Sequence, residues 1–275
     1  MTGVVLLTGA TGFVGRQVLH TLLERGQAVR AVVRRSKVAE MADQCSLESI
    51  VGTNDLFNET EQWWAETCAN VDTVIHLAWS VEPGKYLDSA KNMHCLSGTL
   101  ALAQGVAKAG VRRFIGIGTC FEYDLSHGDL SVDTPLNPLT VYAGSKTALY
   151  MVLRSWFEQS GIEFSWCRLF YLHGEGEDCR RLVPYIRNQL SAGQIAELGS
   201  GTQVRDFLDV CIAAGMIVDV ALGGSKGAVN ICSGYAVTVR ELAEKIADEY
   251  GRRDLLDFGA RADSPFDPPF VVGIP

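Results

Sequence analysis

Apolar residues along this chain fall in blocks whose period switches between strand and helix. Val4-Val5-Leu6-Leu7 is an uninterrupted strand-sized apolar run, the pattern of a parallel strand buried on both faces. From Arg16 to Arg25 the period becomes helical, with Val18, Leu19, Leu22 and Leu23 on one side, and Gly26 ends the helix. Ala28 to Val33 again reads as a strand, as do Val71 to Ala78, Arg113 to Gly118 and Ile162 to Leu169. Helices are predicted from about Leu87 to Ala109, through Tyr142 to about Ser160, and from Val239 to Tyr250 with Thr238 as N-cap. Strands alternating with helices define an α/β fold, a Rossmann-like doubly wound parallel sheet.

The turn between the first strand and first helix is Thr8-Gly-Ala-Thr-Gly-Phe-Val-Gly15. Gly9 allows a tight turn, Gly12 lets backbone approach a pyrophosphate, and Gly15 lets helix and sheet pack closely. Unpaired N–H groups and the helix dipole then face an anion without requiring a lysine. The spacing is Gly-x-x-Gly-x-x-Gly, one residue longer in its first gap than the ordinary Rossmann fingerprint. In this form the segment resembles the short-chain dehydrogenase/reductases, and specifically their extended branch, which works on nucleotide sugars. The resemblance implies a dinucleotide-binding domain over residues 1–167, to which the chain returns at about 203–231. A smaller substrate lobe takes 168–202 and 232–275.

Composition fits one α/β enzyme of 275 residues. The formal net charge of −8 comes without a run of basic residues, so nucleic acid is not an expected partner. The longest apolar runs are strand-sized, and Met1-Thr2-Gly3 has no charged leader, so neither a membrane span nor a signal peptide is expected. The eight cysteines, Cys45 among them, contain no Cys-x-x-Cys pair and read as reduced thiols of a cytoplasmic protein.

After the second strand comes Val33-Arg34-Arg35-Ser36, where an acidic residue would bind the 2′-hydroxyl of NAD. Arginines there accommodate a 2′-phosphate, so NADP is expected, with NAD possible. By resemblance, Asp55 and Leu56 meet the adenine, and Leu77-Ala78 lie along the cofactor as part of a His-x-Ala-Ala stretch. Trp79 replaces the second alanine, which places a large ring on the sugar side of the pocket. His76 reads as a hydrogen-bonded structural histidine, and no second ligand stands at metal spacing, so no metal is expected. Cys95 occupies a position where the family has an asparagine, and Asn92 does not line up to replace it.

Two stretches carry the chemistry, Gly118-Thr119 and Tyr142-Ala-Gly-Ser-Lys146. Tyr142 and Lys146 lie one helical turn apart on one face. An unperturbed tyrosine titrates near pH ~10, and an adjacent ammonium is expected to lower that value. Lys146 can also donate to the nicotinamide ribose, and Thr119, at a strand's carboxyl end, can polarise a carbonyl. Glu122, if the segment after Thr119 is extended, points away from this site.

The resemblance extends through Arg168-Leu-Phe-Tyr-Leu-His-Gly174, with Tyr171 and His173 departing from the family's Arg-x-x-Asn-x-Tyr-Gly. It implies cofactor contacts from Gly9, Thr11, Gly12, Phe13, Val14, Gly15, Tyr142, Lys146 and Phe170, and substrate contacts from Thr119, Tyr142, Val183 and Arg205. Arg181-Leu-Val-Pro184 opens a helix over the nucleotide sugar, and Arg205 reaches ribose or phosphate unless it pairs with Asp206 or Asp209. The Asp-Asp that usually follows is replaced by Cys211-Ile212. Residues 260–269 read as a loop, and the lobe beyond it is either abbreviated or truncated. The expected activity is reduction of the C4 ketone of a nucleoside-diphosphate 4-keto-6-deoxyhexose. A 4-epimerase is the nearest rival and a non-catalytic NADP sensor a second. A dehydratase is disfavoured because Cys120 and Phe121 stand where an Asp and a Glu would supply acid and base. The expected assembly is a homodimer through the helices carrying Leu100, Leu102, Leu149, Met151, Val152 and Trp156.

Overall fold

The computed structural model describes residues 3–42, 47–263 and 267–275. Met1, Thr2 and Cys45, on which two expectations rest, lie outside them, as does part of the 260–269 loop. Strands β1 (Val4–Thr8), β2 (Val29–Arg34), β3 (Ser49–Thr53), β4 (Val71–His76), β5 (Arg113–Thr119), β6 (Glu163–Leu169) and β7 (Gly227–Ile231) form one parallel sheet. Their order is β7-β6-β5-β4-β1-β2-β3. The chain therefore winds outward from β1 in one direction and, from β4, in the other. Such a reversal opens a crevice at the carboxyl ends of β1 and β4, where ligands of open α/β sheets bind.

Side-chain alternation explains the layers. In β1, Val5 and Leu7 point to one face and Leu6 to the other. The first face packs on α1 (Phe13–Glu24), through Val18 and Leu22, and on a helix from Val210 to Leu222, through Ala214 and Ile217. The second carries Leu6, Val32, Val74 and Phe114 against α2 (Glu61–Thr67), α3 (Lys91–Ala109) and α4 (Val141–Ser160), whose Trp64, Leu102, Leu153 and Phe157 are buried. Both faces are covered, so the strands must be apolar on both sides, which is why β1 shows a run rather than an alternation.

A separate, smaller core joins α5 (Leu182–Ser191) to α6 (Val239–Tyr250) through Ile186, Leu190, Ala243 and Ile246. Helix α6 starts as the sequence indicates. Thr238 accepts from the Glu241 N–H at 3.0 Å, and the Glu241 carboxylate accepts from the Thr238 N–H at 2.8 Å, a reciprocal cap. Pro184 sits in the first turn of α5, where its missing N–H leaves no bond unmade.

Several boundaries differ from expectation. Helix α1 begins at Phe13, and α3 begins at Lys91 because residues 82–89 fold into turns closed by Lys85 and Tyr86 bonding to the Glu82 carbonyl. Strand β4 ends at His76, short of Ala78. The segment Phe270–Gly273, a short run beyond an Asp- and Pro-rich loop for which no strand is expected above, is a strand running parallel to both Val204–Arg205 and Asp129–Leu130. Those pairings are with distant residues, which local pattern cannot reveal. Among the described residues no helix is long and apolar enough to cross a membrane.

Candidate active site at the carboxyl ends of the strands

The glycine turn connects β1 to α1 at the crevice. Gly9 has φ +75°, and its Cα lies so close to the backbone of Leu77 and Ala78 that an added Cβ would stand 2.8 Å from the Ala78 nitrogen. A Cβ on Gly15 would overlap the Gly9 carbonyl. Gly12 is the N-cap of α1 and offers no side chain, so the first-turn N–H groups lack a capping partner from it. Thr11, Phe13 and Val14 are only partly buried around this rim. These residues fit a dinucleotide, since the cradle excludes side chains and presents donors to an anion. The Ala78 N–H donates to the Thr8 hydroxyl at 3.2 Å, tying the Leu77-Ala78 backbone to the turn.

At the end of β2, beside β1, Arg34 and Arg35 are exposed and form no ion pair among the described residues. Asp55 is already engaged. It caps the turn at Leu56–Asn58 by accepting from the Phe57 N–H at 3.0 Å, and meets His94 Nε2 at 2.9 Å. Leu56 packs on the core beneath. His76 is fully enclosed, with Nδ1 2.8 Å from the Thr8 hydroxyl and Nε2 3.0 Å from that of Thr99. Burial, with the Lys146 charge nearby, lowers its pKa to about 3, so it is a neutral structural group.

Thr119 ends β5; on α4, Tyr142 lies beside the Thr119 hydroxyl and Lys146 reaches the β5 backbone at Ile117. Thr140 caps this helix by accepting from the Ala143 N–H at 3.1 Å, while the Tyr142 N–H donates to the Leu87 carbonyl at 2.8 Å. The Tyr86 ring stands edge-on to Tyr142 at 4.9 Å. Lys146 is buried. Its ammonium donates to the Ile117 carbonyl at 2.7 Å and lies 3.7 Å from the centre of the Trp79 ring.

Trp79 lies against Lys146, a contact the sequence does not indicate. One expectation is corrected: burial pushes the Tyr142 phenol above its ordinary value, Tyr86, Glu122 and Cys120 reinforce this, the neighbouring Thr119 hydroxyl opposes it, and the lowering expected from Lys146 is not seen. The reason is that the ammonium is turned to a carbonyl and a ring, and is itself lowered to about 7 by burial.

Sequence reasoning also missed the role of Glu122. Residues Cys120–Glu122 form a tight turn, not an extended segment, and this folds Glu122 back under the sheet. It is fully buried, accepting from the Thr119 N–H at 2.8 Å, the Trp166 indole at 3.0 Å and Arg168 Nε at 2.8 Å. Arg168 also donates to the Tyr123 hydroxyl, which donates to Asn230 at 2.7 Å. A Thr followed three residues later by Glu is the capping-box signal that could have found it.

On the far side, the Phe170 ring is buried among Cys120, Cys232 and Val271, and its N–H donates to the Ile231 carbonyl at 3.3 Å, so the ring is not offered to a cofactor. Val183 packs in the α5–α6 core. Arg205 is buried and pairs with Asp267 at 2.7 Å, not with Asp206 or Asp209. Asp206 instead accepts from the Ser233 and Gly234 N–H groups at 2.7 and 2.8 Å. The Arg205 guanidinium stands over the Tyr171 ring at 5.2 Å, and the Tyr171 hydroxyl is buried with no partner among the described atoms. His173, half-buried, is lowered by that burial. No group of three or more potential metal ligands occurs among the described residues, and the seven described cysteines are unpaired.

A seven-stranded parallel sheet with a glycine cradle at its switch point defines a dinucleotide-binding enzyme fold. More narrowly, residues 5–232 match the model of the NAD dependent epimerase/dehydratase family, and the chain belongs to it. It is 22% identical over 253 residues to dTDP-6-deoxy-L-talose 4-dehydrogenase (NAD(+)) of Aggregatibacter actinomycetemcomitans, covering 90% of each chain. It is 27% identical over 285 residues to UDP-glucuronate 4-epimerase of Thermodesulfobacterium geofontis, covering 93% of this chain and 84% of the relative. UDP-glucose 4-epimerase of Thermus thermophilus, solved with NAD, superposes with a TM-score of 0.82 at 20% identity, over 99% of this chain and 90% of that one.

Proposed function

We propose that this protein is a reductase acting at C4 of a nucleoside-diphosphate 4-keto-6-deoxyhexose. The observation that carries the reading is that Tyr142 neighbours the Thr119 hydroxyl while Lys146, one turn further on, lies against Trp79, next in sequence to the Ala78 that packs on Gly9. When bound, a reduced nicotinamide supplies the hydride. Gly9, Thr11, Gly12, Phe13, Val14 and Gly15 hold the pyrophosphate, Lys146 donates to the ribose, and Thr119 orients the sugar ketone. Tyr142 gives its phenolic proton to the developing C4 oxygen. Burial keeps that proton in place at neutral pH, as a donor requires. The relative named as a 4-dehydrogenase of a 6-deoxy sugar lends support, because oxidation at C4 is the reverse of this step. The division into a cofactor part (1–167 and 203–231) and a substrate lobe (168–202 and 232–275) accompanies the reading, as does a cytoplasmic location for unpaired thiols.

The rival reading, a 4-epimerase that returns its hydride within one turnover, is favoured by the relative and the solved structure that carry that name. Incubation with NADPH or NADH and a panel of nucleotide 4-keto-6-deoxy sugars separates the two. Stoichiometric loss of reduced nicotinamide is expected; product without net cofactor change establishes the epimerase.

For the cofactor, Arg34 and Arg35 favour NADP, although the relatives above are named with NAD. Changing both to alanine is expected to weaken NADPH about tenfold or more and NADH little, because only NADPH has a 2′-phosphate to lose. Equal weakening in equilibrium titrations removes the arginines from that role.

Assembly as a homodimer follows from the outer face of α4. Met151 (53% exposed), Val152 and Trp156 are exposed there, whereas Leu102 and Leu149, expected to share in the pairing, are buried in the chain's own core and Leu100 packs against it. A two-fold pairing of these helices would bury them. Light scattering at micromolar concentration should give twice the chain mass; a monomer mass rules the pairing out.

A further inference from the structure

We propose that Trp79 is a positioning residue for Lys146, its ring face holding the ammonium ready for a cofactor hydroxyl in a pocket that gives it no carboxylate contact. This rests on the reading of Lys146 as the ribose donor. Three observations carry it. The ammonium has three N–H groups: one is spent on the Ile117 carbonyl at 2.7 Å, and the Trp79 ring lies 3.7 Å away, which leaves a donor unassigned. No ion pair to Lys146 occurs among the described residues; Glu122, the carboxylate whose charge acts on it, is committed to Arg168, Trp166 and the Thr119 N–H. The Trp79 ring is itself anchored, its indole donating to Asn92 Oδ1 at 2.8 Å.

Asn92 extends the device to the second candidate group. Fully buried, it donates to the carbonyls of Tyr86 at 2.6 Å and Ser89 at 2.9 Å. That turn carries the Leu87 carbonyl bonded to the Tyr142 N–H and the Tyr86 ring packed on Tyr142. One indole therefore touches the lysine with its face and, through Asn92, steadies the turn beside the tyrosine. Neither Trp79 nor Asn92 takes a family role in the sequence resemblance.

The face of an indole attracts a cation, and more strongly when water is excluded. The groups around the ammonium are Glu122 after β5, Cys95 on α3, His76 on β4 and Tyr142 on its own helix. Glu122 and Cys95 favour the charged form, whereas burial opposes it and lowers Lys146 to about 7. A raised pH thus discharges the lysine, and loss of the ring moves that discharge to lower pH.

The test measures the binding of NAD⁺ and NADP⁺ to the full chain by calorimetry at pH 6 and pH 8. Trp79→Leu should weaken the better-bound nucleotide by up to ~10-fold at pH 8 and about twofold or less at pH 6. Trp79→Phe, which keeps an aromatic face but loses the indole bond to Asn92, should fall between Trp79→Leu and the unmodified protein at pH 8. Protein made with fluorinated tryptophans keeps the ring's shape and weakens its face, so it tests the same point without a change of packing. Its binding at pH 8 should fall stepwise with fluorination, and should not do so in the Trp79→Phe background. A loss of equal size at both pH values, or no response to fluorination, overturns the assignment to Trp79 alone. Failure of the unmodified protein to bind either nucleotide overturns the functional reading as well.

Discussion

Replacing Tyr142 with phenylalanine is expected to cut turnover about 10²-fold or more while leaving the fold and nucleotide binding intact. The substitution removes one oxygen. The Tyr142 N–H bond to Leu87 and the edge-on packing of Tyr86 involve the backbone and the ring, and both persist in phenylalanine. What is lost is the proton that the C4 oxygen must gain as the hydride arrives. Thr119→Val should cost less, since it removes a polarising hydrogen bond but leaves the proton source. Lys146→Met should differ again by weakening nucleotide binding as well as turnover. Near-normal turnover in Tyr142→Phe, measured on a nucleotide sugar that the unmodified protein reduces, would sink the assignment and leave Tyr171, with its unpartnered hydroxyl, as the next proton donor to test.

The second large effect falls on stability. Glu122→Leu should destabilise the protein by about 3–5 kcal/mol, because it strands the Arg168 guanidinium in a fully buried site with its main counter-charge gone. Arginine cannot relieve the strain by losing its proton, so the penalty is larger than for the reverse substitution. The Trp166 indole and the Thr119 N–H lose their acceptor in the same step. Changing Glu122→Leu together with Arg168→Met should recover much of the loss, since apolar replacements of a buried pair are often tolerated. Denaturant melts decide it: a single substitution costing less than about 1 kcal/mol would mean that the pair is not the anchor of Thr119.

Much of this was legible in the residues. The blocks of apolar period located every strand of the sheet that was read from them, and the glycine spacing located the cradle, because both signals are local. Tyr142 and Lys146 fall on one helix face by spacing alone. What escaped the sequence depends on contacts between distant segments. Glu122 turns inward because residues 120–122 form a tight turn, which a Thr-x-x-Glu spacing hints at but the strand before it disguises. Trp79 meets Lys146, and Arg205 meets Asp267, across separations that no periodicity encodes. The raised phenol of Tyr142 is of the same kind, since it follows from enclosure rather than from its neighbour one turn along the helix.

The strand Phe270–Gly273 sets an order on how this molecule comes together. Val272 pairs with Asp129 and Val271 with Arg205, while Asn230 clasps the carbonyls of both Leu130 and Ile274 at 2.9 Å. Contacts so remote along the chain form late, because loop-closure entropy must be overcome before they return any stability. The turn from β1 into α1 joins adjacent elements and needs no such closure, although it finally packs on the remote Leu77 and Ala78. The turn's own geometry thus belongs to the quick, local part of the landscape, and the wall behind Thr119, where Asn230 holds Tyr123, to the slow one.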